Sequence, residues 1–246
     1  MHLFGKRKSA KKRPKRTFTG VVWEYTQSLA IALVLALIIK ASIVEAYKIP
    51  SGSMEDTLLV GDFLLANKFI YGMRLPIPFY EIRLPALAEP KPGDVIIFKY
   101  PRDPSVNYIK RCVATGGQVV EIRDKIVYVD GRPFQNPALS KFTDPHIYPA
   151  GAYGIRDNMP PTAVPPGMLF MMGDNRDNSA DSRFWGFLDR KLVQGKAMVI
   201  HWSWAPDTNA PELSLKNPLS FPHLIFYDLI HFPNRVRWSR LASVIN

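Results

Sequence analysis

The 246 residues suffice for one large folded unit or two small ones. A hydrophobic fraction of 47% is ordinary for a globular protein, while 22 prolines against 15 glycines favour short strands and turns over long helices. The formal net charge of +11 is concentrated: Lys6, Arg7, Lys8, Lys11, Lys12, Arg13, Lys15 and Arg16 form a basic run with no acidic residue among them, and the remainder is only mildly basic. Cys112 is the single cysteine, which excludes an intrachain disulfide and the Cys-rich zinc patterns.

A basic run of this kind serves as a solvated tail, a nucleic-acid arm or a membrane-surface anchor. The residues after the run decide among the three. Ser28 to Ile39 reads SLAIALVLALII without a charge, and Ala41, Ile43 and Val44 extend the apolar stretch past Lys40. From Trp23 to Tyr47 it reaches the ~20 residues that a helix needs to cross a hydrocarbon core. Trp23, Tyr25 and Tyr47 suit the two interfaces, and Lys40 and Glu45 stand near the far end, within reach of headgroups. The expected organisation is a basic cytoplasmic tail over 1–20, a single transmembrane anchor over 21–47 and an extracytoplasmic domain over 48–246. A cleavable secretory signal ending near Ala46 is the competing reading. No nucleic-acid partner is expected.

Beyond the anchor, Phe63 to Phe69, Asp94 to Tyr100 and Val119 to Val129 read as strands, the last leading into the hairpin signal Asp130-Gly131. Residues 133–166 are rich in proline and polar residues and read as an irregular insertion or a long hairpin. Met168 to Met172 forms another buried run. The tail, about 205–246, is too short and too charged for a second span; it either packs on the domain or lies at a membrane surface. The fold class is mainly β.

Three segments carry possible chemistry. Pro50-Ser51-Gly52-Ser53-Met54 is a turn in which a glycine permits close backbone approach to Ser53. A serine needs a base. No histidine stands in a recognisable triad context, and both G-x-S-x-G and S-x-x-K are absent. Lys110, flanked by Ile109 and Val113, is either a surface strand lysine or a partly buried amine whose pKa falls far enough to accept a proton. Gly173 to Gly186, GDNRDNSADSRFWG, is a turn dense in Asp, Asn and Ser. Arg176 and Arg183 interrupt its acidic run, and the sharp-turn glycine and terminal glutamate of a calcium loop are missing. A buried ion-pair network suits it better than a metal.

In this order PSGSM, YIKR and GDNRDNSADSRFWG resemble the bacterial type I signal peptidases, from about Trp23 to Trp202. The resemblance implies a signal-peptidase-like β-rich domain behind one transmembrane helix in the plasma membrane. It implies a Ser53 nucleophile with Lys110 as general base, Ser179 hydrogen-bonded to the lysine, and an oxyanion hole of the Ser53 N–H and Ser51 hydroxyl. It implies an Asp181–Arg183 ion pair and a pocket walled by Ile49, Met54, Tyr108 and Ile109 that accepts alanine. The implied partners are signal peptides of exported precursors and membrane lipid, with no metal or organic cofactor.

Two features depart from the family pattern. Members commonly carry a proline where Asp56 stands, and a Gly-x-Pro-Gly-Asp pattern where Cys112 to Gln118 stands. A carboxylate from Glu55 or Asp56 near Lys110 would favour the charged amine. A pilus-maturation peptidase of the same fold and a membrane-anchored peptide-binding module without catalysis are the alternatives.

Overall fold

The computed structural model describes residues 17–42, 44–72, 74–77, 80–83, 85–151, 155–211, 213–214, 217 and 220–245. The basic run from Lys6 to Arg16 lies outside them. The chain divides into two compact units, Met1–Lys40 and Ala41–Asn246.

The first unit holds most of α1, Phe18–Ser42, in which Trp23, Tyr25, Leu29, Ile31 and Leu33 are exposed. Among the described residues no helix is long and apolar enough to cross a membrane. The helix also ends earlier than expected. Val44–Lys48 is a strand, β1, whose backbone groups pair antiparallel with β2, Asp62–Asn67, so that Tyr47 lies opposite Leu64.

The remaining strands come in chain order. They are β3 (Arg74–Ile77), β4 (Tyr80–Arg83), β5 (Val95–Tyr100), β6 (Asp103–Thr115), β7 (Val119–Arg123), β8 (Ile126–Val129), β9 (Arg132–Pro133), β10 (Met159–Ala163), β11 (Met168–Met172), β12 (Leu188–Asp189), β13 (Val193–Ser203) and β14 (Ser243–Val244). The large sheet has the order β1-β2-β13-β5-β6-β11-β12, with β14 also on β13. A smaller sheet runs β10-β7-β8-β9, and β3 pairs with β4.

The apolar runs without alternation are strands buried on both faces. Along β5, Val95 and Ile97 enter one cluster with Ile49, Met54, Leu58 and Leu64, while Ile96 and Phe98 enter another with Cys112, Trp185 and Leu188. Along β11, Phe170 and Met172 face the small sheet with Val113, Val120 and Ile122. The expected single strand Val119 to Val129 is instead a hairpin. Asp124 and Lys125 take left-handed backbone angles (φ 48° and 69°), reversing the chain inside what reads as one apolar run. Asp130 and Gly131 (φ 51° and 74°) make the expected second turn, into β9. The 133–166 segment ends in β10, whose Thr162 and Ala163 pair with Val120 and Val119.

The tail packs on the domain. After α3, Ser220–Arg235, Arg240 reaches the fully buried carboxylate of Asp62 (Nη2–Oδ2 2.6 Å), which also accepts from Ser203 Oγ at 2.6 Å and the Leu59 N–H at 2.8 Å. Breaking a buried pair on one side leaves an uncompensated charge. Arg240→Met is therefore expected to lower unfolding stability by about 3 kcal/mol in chemical denaturation, Arg237 being the only other cation on Asp62 among the described residues.

Candidate active site

Ser53 lies on a single 3-10 turn, Gly52–Met54, that comes after β1. The turn is pinned from below and from the side. Met54 is fully buried in the first cluster, and its sulfur accepts the Asp174 N–H at 3.4 Å. The Ser53 carbonyl accepts the Asn175 N–H at 3.1 Å, and Asn175 Nδ2 donates to the Gly52 carbonyl at 3.1 Å. This fixing leaves Ser53 half-buried and Ser51 exposed, with their hydroxyl oxygens 3.5 Å apart.

Lys110 stands on β6 opposite Ile96 of β5. It is only 3% exposed, and its Nζ lies 2.6 Å from Ser53 Oγ and 3.0 Å from the Ile109 carbonyl. Burial pushes its pKa down to about 8, against the pull of the Asp181 and Asp174 carboxylates toward the charged form. The two residues are 57 positions apart and meet at hydrogen-bonding distance.

The loop after β11 supplies the third side. Its three aspartates each engage a different cation. Asp174 takes a bidentate buried pair with Arg111 (2.7 and 2.9 Å), Asp177 pairs with Lys125 at 3.0 Å and Asp181 pairs with Arg183 at 2.8 Å. Asp181 also accepts the Gly173 N–H at 3.1 Å and caps the short helix α2, Ser182–Trp185, at the Arg183 N–H. Arg183 donates onward to the Arg176 carbonyl at 2.6 Å and the Arg156 carbonyl at 3.0 Å. The loop is therefore held by charge-assisted bonds.

Three expectations change in detail. Ser179 is not bonded to Lys110; its Oγ is buried without a hydrogen-bond partner among the described residues, and the Ile109 carbonyl is the amine's second partner. Ile49 and Met54 lie in the core, whereas Tyr108 and Ile109 line the cleft in front of Ser53. Glu55 and Asp56 turn toward Lys141, at 3.1 and 3.6 Å, and are not among the groups acting on Lys110. Asp56 itself has φ 73°, a backbone angle closed to proline.

The cleft measures about 450 Å³ and is lined on one side by Val106 to Lys110 and on the other by Asn178 and Ala180. Tyr108 forms part of its wall. Its ring stacks on Tyr100 at 4.3 Å, and Lys110 Nζ lies 5.3 Å from its centroid. The sequence reading missed Asn178 and Ala180, which sit in the polar loop without any pattern to mark them, and Arg111, whose partner is 63 residues away. It also missed Arg176, fully buried beside Arg111 and Arg183, with its pKa pushed down to about 10 by burial.

A hydroxyl against a buried amine of lowered pKa, beside an open cleft, is an arrangement suited to hydrolysis of the serine-nucleophile class. The family model described as signal peptidase, peptidase S26, matches residues 22–202. A signal peptidase I of Pseudomonas fluorescens is 38% identical over 208 residues, covering 74% of this chain and 72% of that protein. That of Pseudomonas aeruginosa is 36% identical, covering 78% and 77%, and that of Aquifex aeolicus is 34% identical, covering 85% and 94%. The chain belongs to the signal peptidase family, peptidase S26. It is a serine peptidase that removes signal peptides from exported proteins.

Proposed function

We propose that Ser53 is the nucleophile and Lys110 its general base, cutting signal peptides of the Ala-x-Ala type. The observation that carries this is the 2.6 Å approach of a desolvated lysine amine to the serine hydroxyl. Neutral Lys110 takes the Ser53 proton as Oγ attacks the carbonyl of the last signal-peptide residue. The oxyanion is met by the Ser53 N–H and the Ser51 hydroxyl, and the mature chain leaves with the proton. Water activated by the same amine then attacks the ester carbonyl and frees Ser53. Ala180, Tyr108 and Ile109 restrict the cleft to small residues.

The anchor is the segment 21–47, which carries the uncharged run Ser28 to Ile39, with the basic tail on the cytoplasmic side of the plasma membrane and the domain over 48–246 on the outer side. The charge asymmetry of the sequence supports that orientation. Contact with lipid is supported by the exposed Phe221, Phe226 and Leu229 of α3.

The test is cleavage of an Ala-x-Ala precursor in detergent, with mass analysis of the new N-terminus, across a pH series. Because only the neutral amine can accept the proton, kcat/KM is expected to rise with pH up to about 8 and then level. Ser53→Ala is expected to be inactive at every pH. Cleavage by Ser53→Ala, or a profile flat between about pH 6 and 9, would refute the assignment.

A further inference from the structure

Lys141 belongs to the 133–166 segment, for which the chemistry above has no use. Its backbone is nonetheless stitched into the catalytic loop as an isolated parallel bridge. The Lys141 N–H donates to the Asp174 carbonyl, and the Lys141 carbonyl accepts the Arg176 N–H, both at 2.8 Å. Asn175, between those two residues, is the one that holds the Ser53 and Gly52 carbonyls.

The side chain closes a ring. Lys141 Nζ lies 3.1 Å from Glu55 Oε2, and that same oxygen accepts from Asn175 Nδ2 at 3.2 Å. Asp56 adds a second carboxylate at 3.6 Å. Glu55, the residue on the C-terminal side of the Ser53 turn, is thus tied to the loop that holds the turn both directly, by Asn175, and through one amine contributed by the insertion. The ion pair is partly exposed, with 29% of the Lys141 side chain and 43% of that of Glu55 accessible. Such a pair adds little to global stability. Its effect falls instead on where Ser53 stands relative to Lys110, a distance to which catalysis is steeply sensitive.

We infer that Lys141 is a positioning residue for acyl transfer, holding Glu55 and Asn175 so that the turn presents Ser53 Oγ to Lys110 in register. The inference rests on Ser53 being the nucleophile. It gives the insertion a part in the reaction without contact with substrate.

The experiment measures kcat, KM and melting temperature of the full chain in detergent on one precursor. The variants are Lys141→Met, Lys141→Arg, Glu55→Ala, the Lys141→Met/Glu55→Ala double and Ser53→Ala. Lys141→Met is expected to lose about tenfold in kcat with KM and melting temperature little changed. Lys141→Arg, which keeps the charge and the reach, is expected to recover most of it. The double variant is expected to be no slower than Glu55→Ala alone, since the two side chains act as a unit.

An unchanged kcat in Lys141→Met, a loss that Lys141→Arg does not recover, or full additivity in the double variant would each overturn the inference. A loss confined to melting temperature would do the same. If Ser53→Ala is dead while Lys141→Met keeps its full kcat, only the inference about Lys141 falls. If Ser53→Ala cuts, the nucleophile assignment falls first.

Discussion

Replacing Lys110 by methionine is expected to reduce kcat by roughly four orders of magnitude while making the protein more stable at neutral pH. The catalytic loss comes from removing the amine proposed as the base, which lies 2.6 Å from Ser53 Oγ. The gain in stability comes from the proton balance. In the unfolded chain the amine takes its proton near pH 10.5, but in the fold it does so only near 8. Between those values each fall in pH favours the unfolded state, and below 8 the penalty is constant. The gap corresponds to about 3 kcal/mol. The hydrogen bonds lost by methionine offset about 1 kcal/mol of that, leaving a gain of about 2 kcal/mol at about pH 7. The advantage is expected to shrink from pH 8 upward and to vanish above about 10.5. Urea unfolding of both proteins at about pH 7 and about pH 11 checks it, and a variant less stable than wild type at the lower pH would show that burial does not disfavour the charged amine.

The second large effect is expected at Gly173. A Cβ there would overlap the Ser53 carbonyl oxygen and Ser179 Oγ, so the Ser53 turn and the loop approach each other only because this position has no side chain. Gly173→Ala is expected to displace the turn and lower kcat by about 100-fold. Its cost in melting experiments is expected to be about 1–3 kcal/mol, the usual range for overpacking. Adding Ser179→Gly removes one of the two collisions. Stability is then expected to recover in part while kcat does not, because the overlap with the Ser53 carbonyl remains. Recovery of kcat in that double variant would place the fault at Ser179 instead.

How much of the fold and site was legible in the sequence varied with the kind of interaction. Strands such as β5 and β11 announce themselves because both faces are apolar, and the Asp130-Gly131 turn because its residues tolerate left-handed angles. The Asp124-Lys125 turn is hidden by contrast, since lysine carries no turn signature and the apolar spacing continues through it. The approach of Ser53 to Lys110 and the Asp181–Arg183 pair were legible through the family resemblance. Other partners far apart in the chain were not. Arg111 with Asp174, Arg240 with Asp62 and Lys141 with Glu55 each depend on which loops the sheet order brings together. The same holds for Ser179, whose hydroxyl packs against Gly173 and leaves the lysine to a backbone carbonyl.

The left-handed backbone at Asp56 also bears on how this sequence can change over generations. A proline ring cannot adopt φ 73°. A direct Asp56→Pro change is closed until the turn itself has been rebuilt, whereas asparagine and glycine remain open as single steps. The position therefore works as a filter: single substitutions that persist there are expected to come from the small set of residues at ease with a left-handed backbone, Asn and Gly foremost.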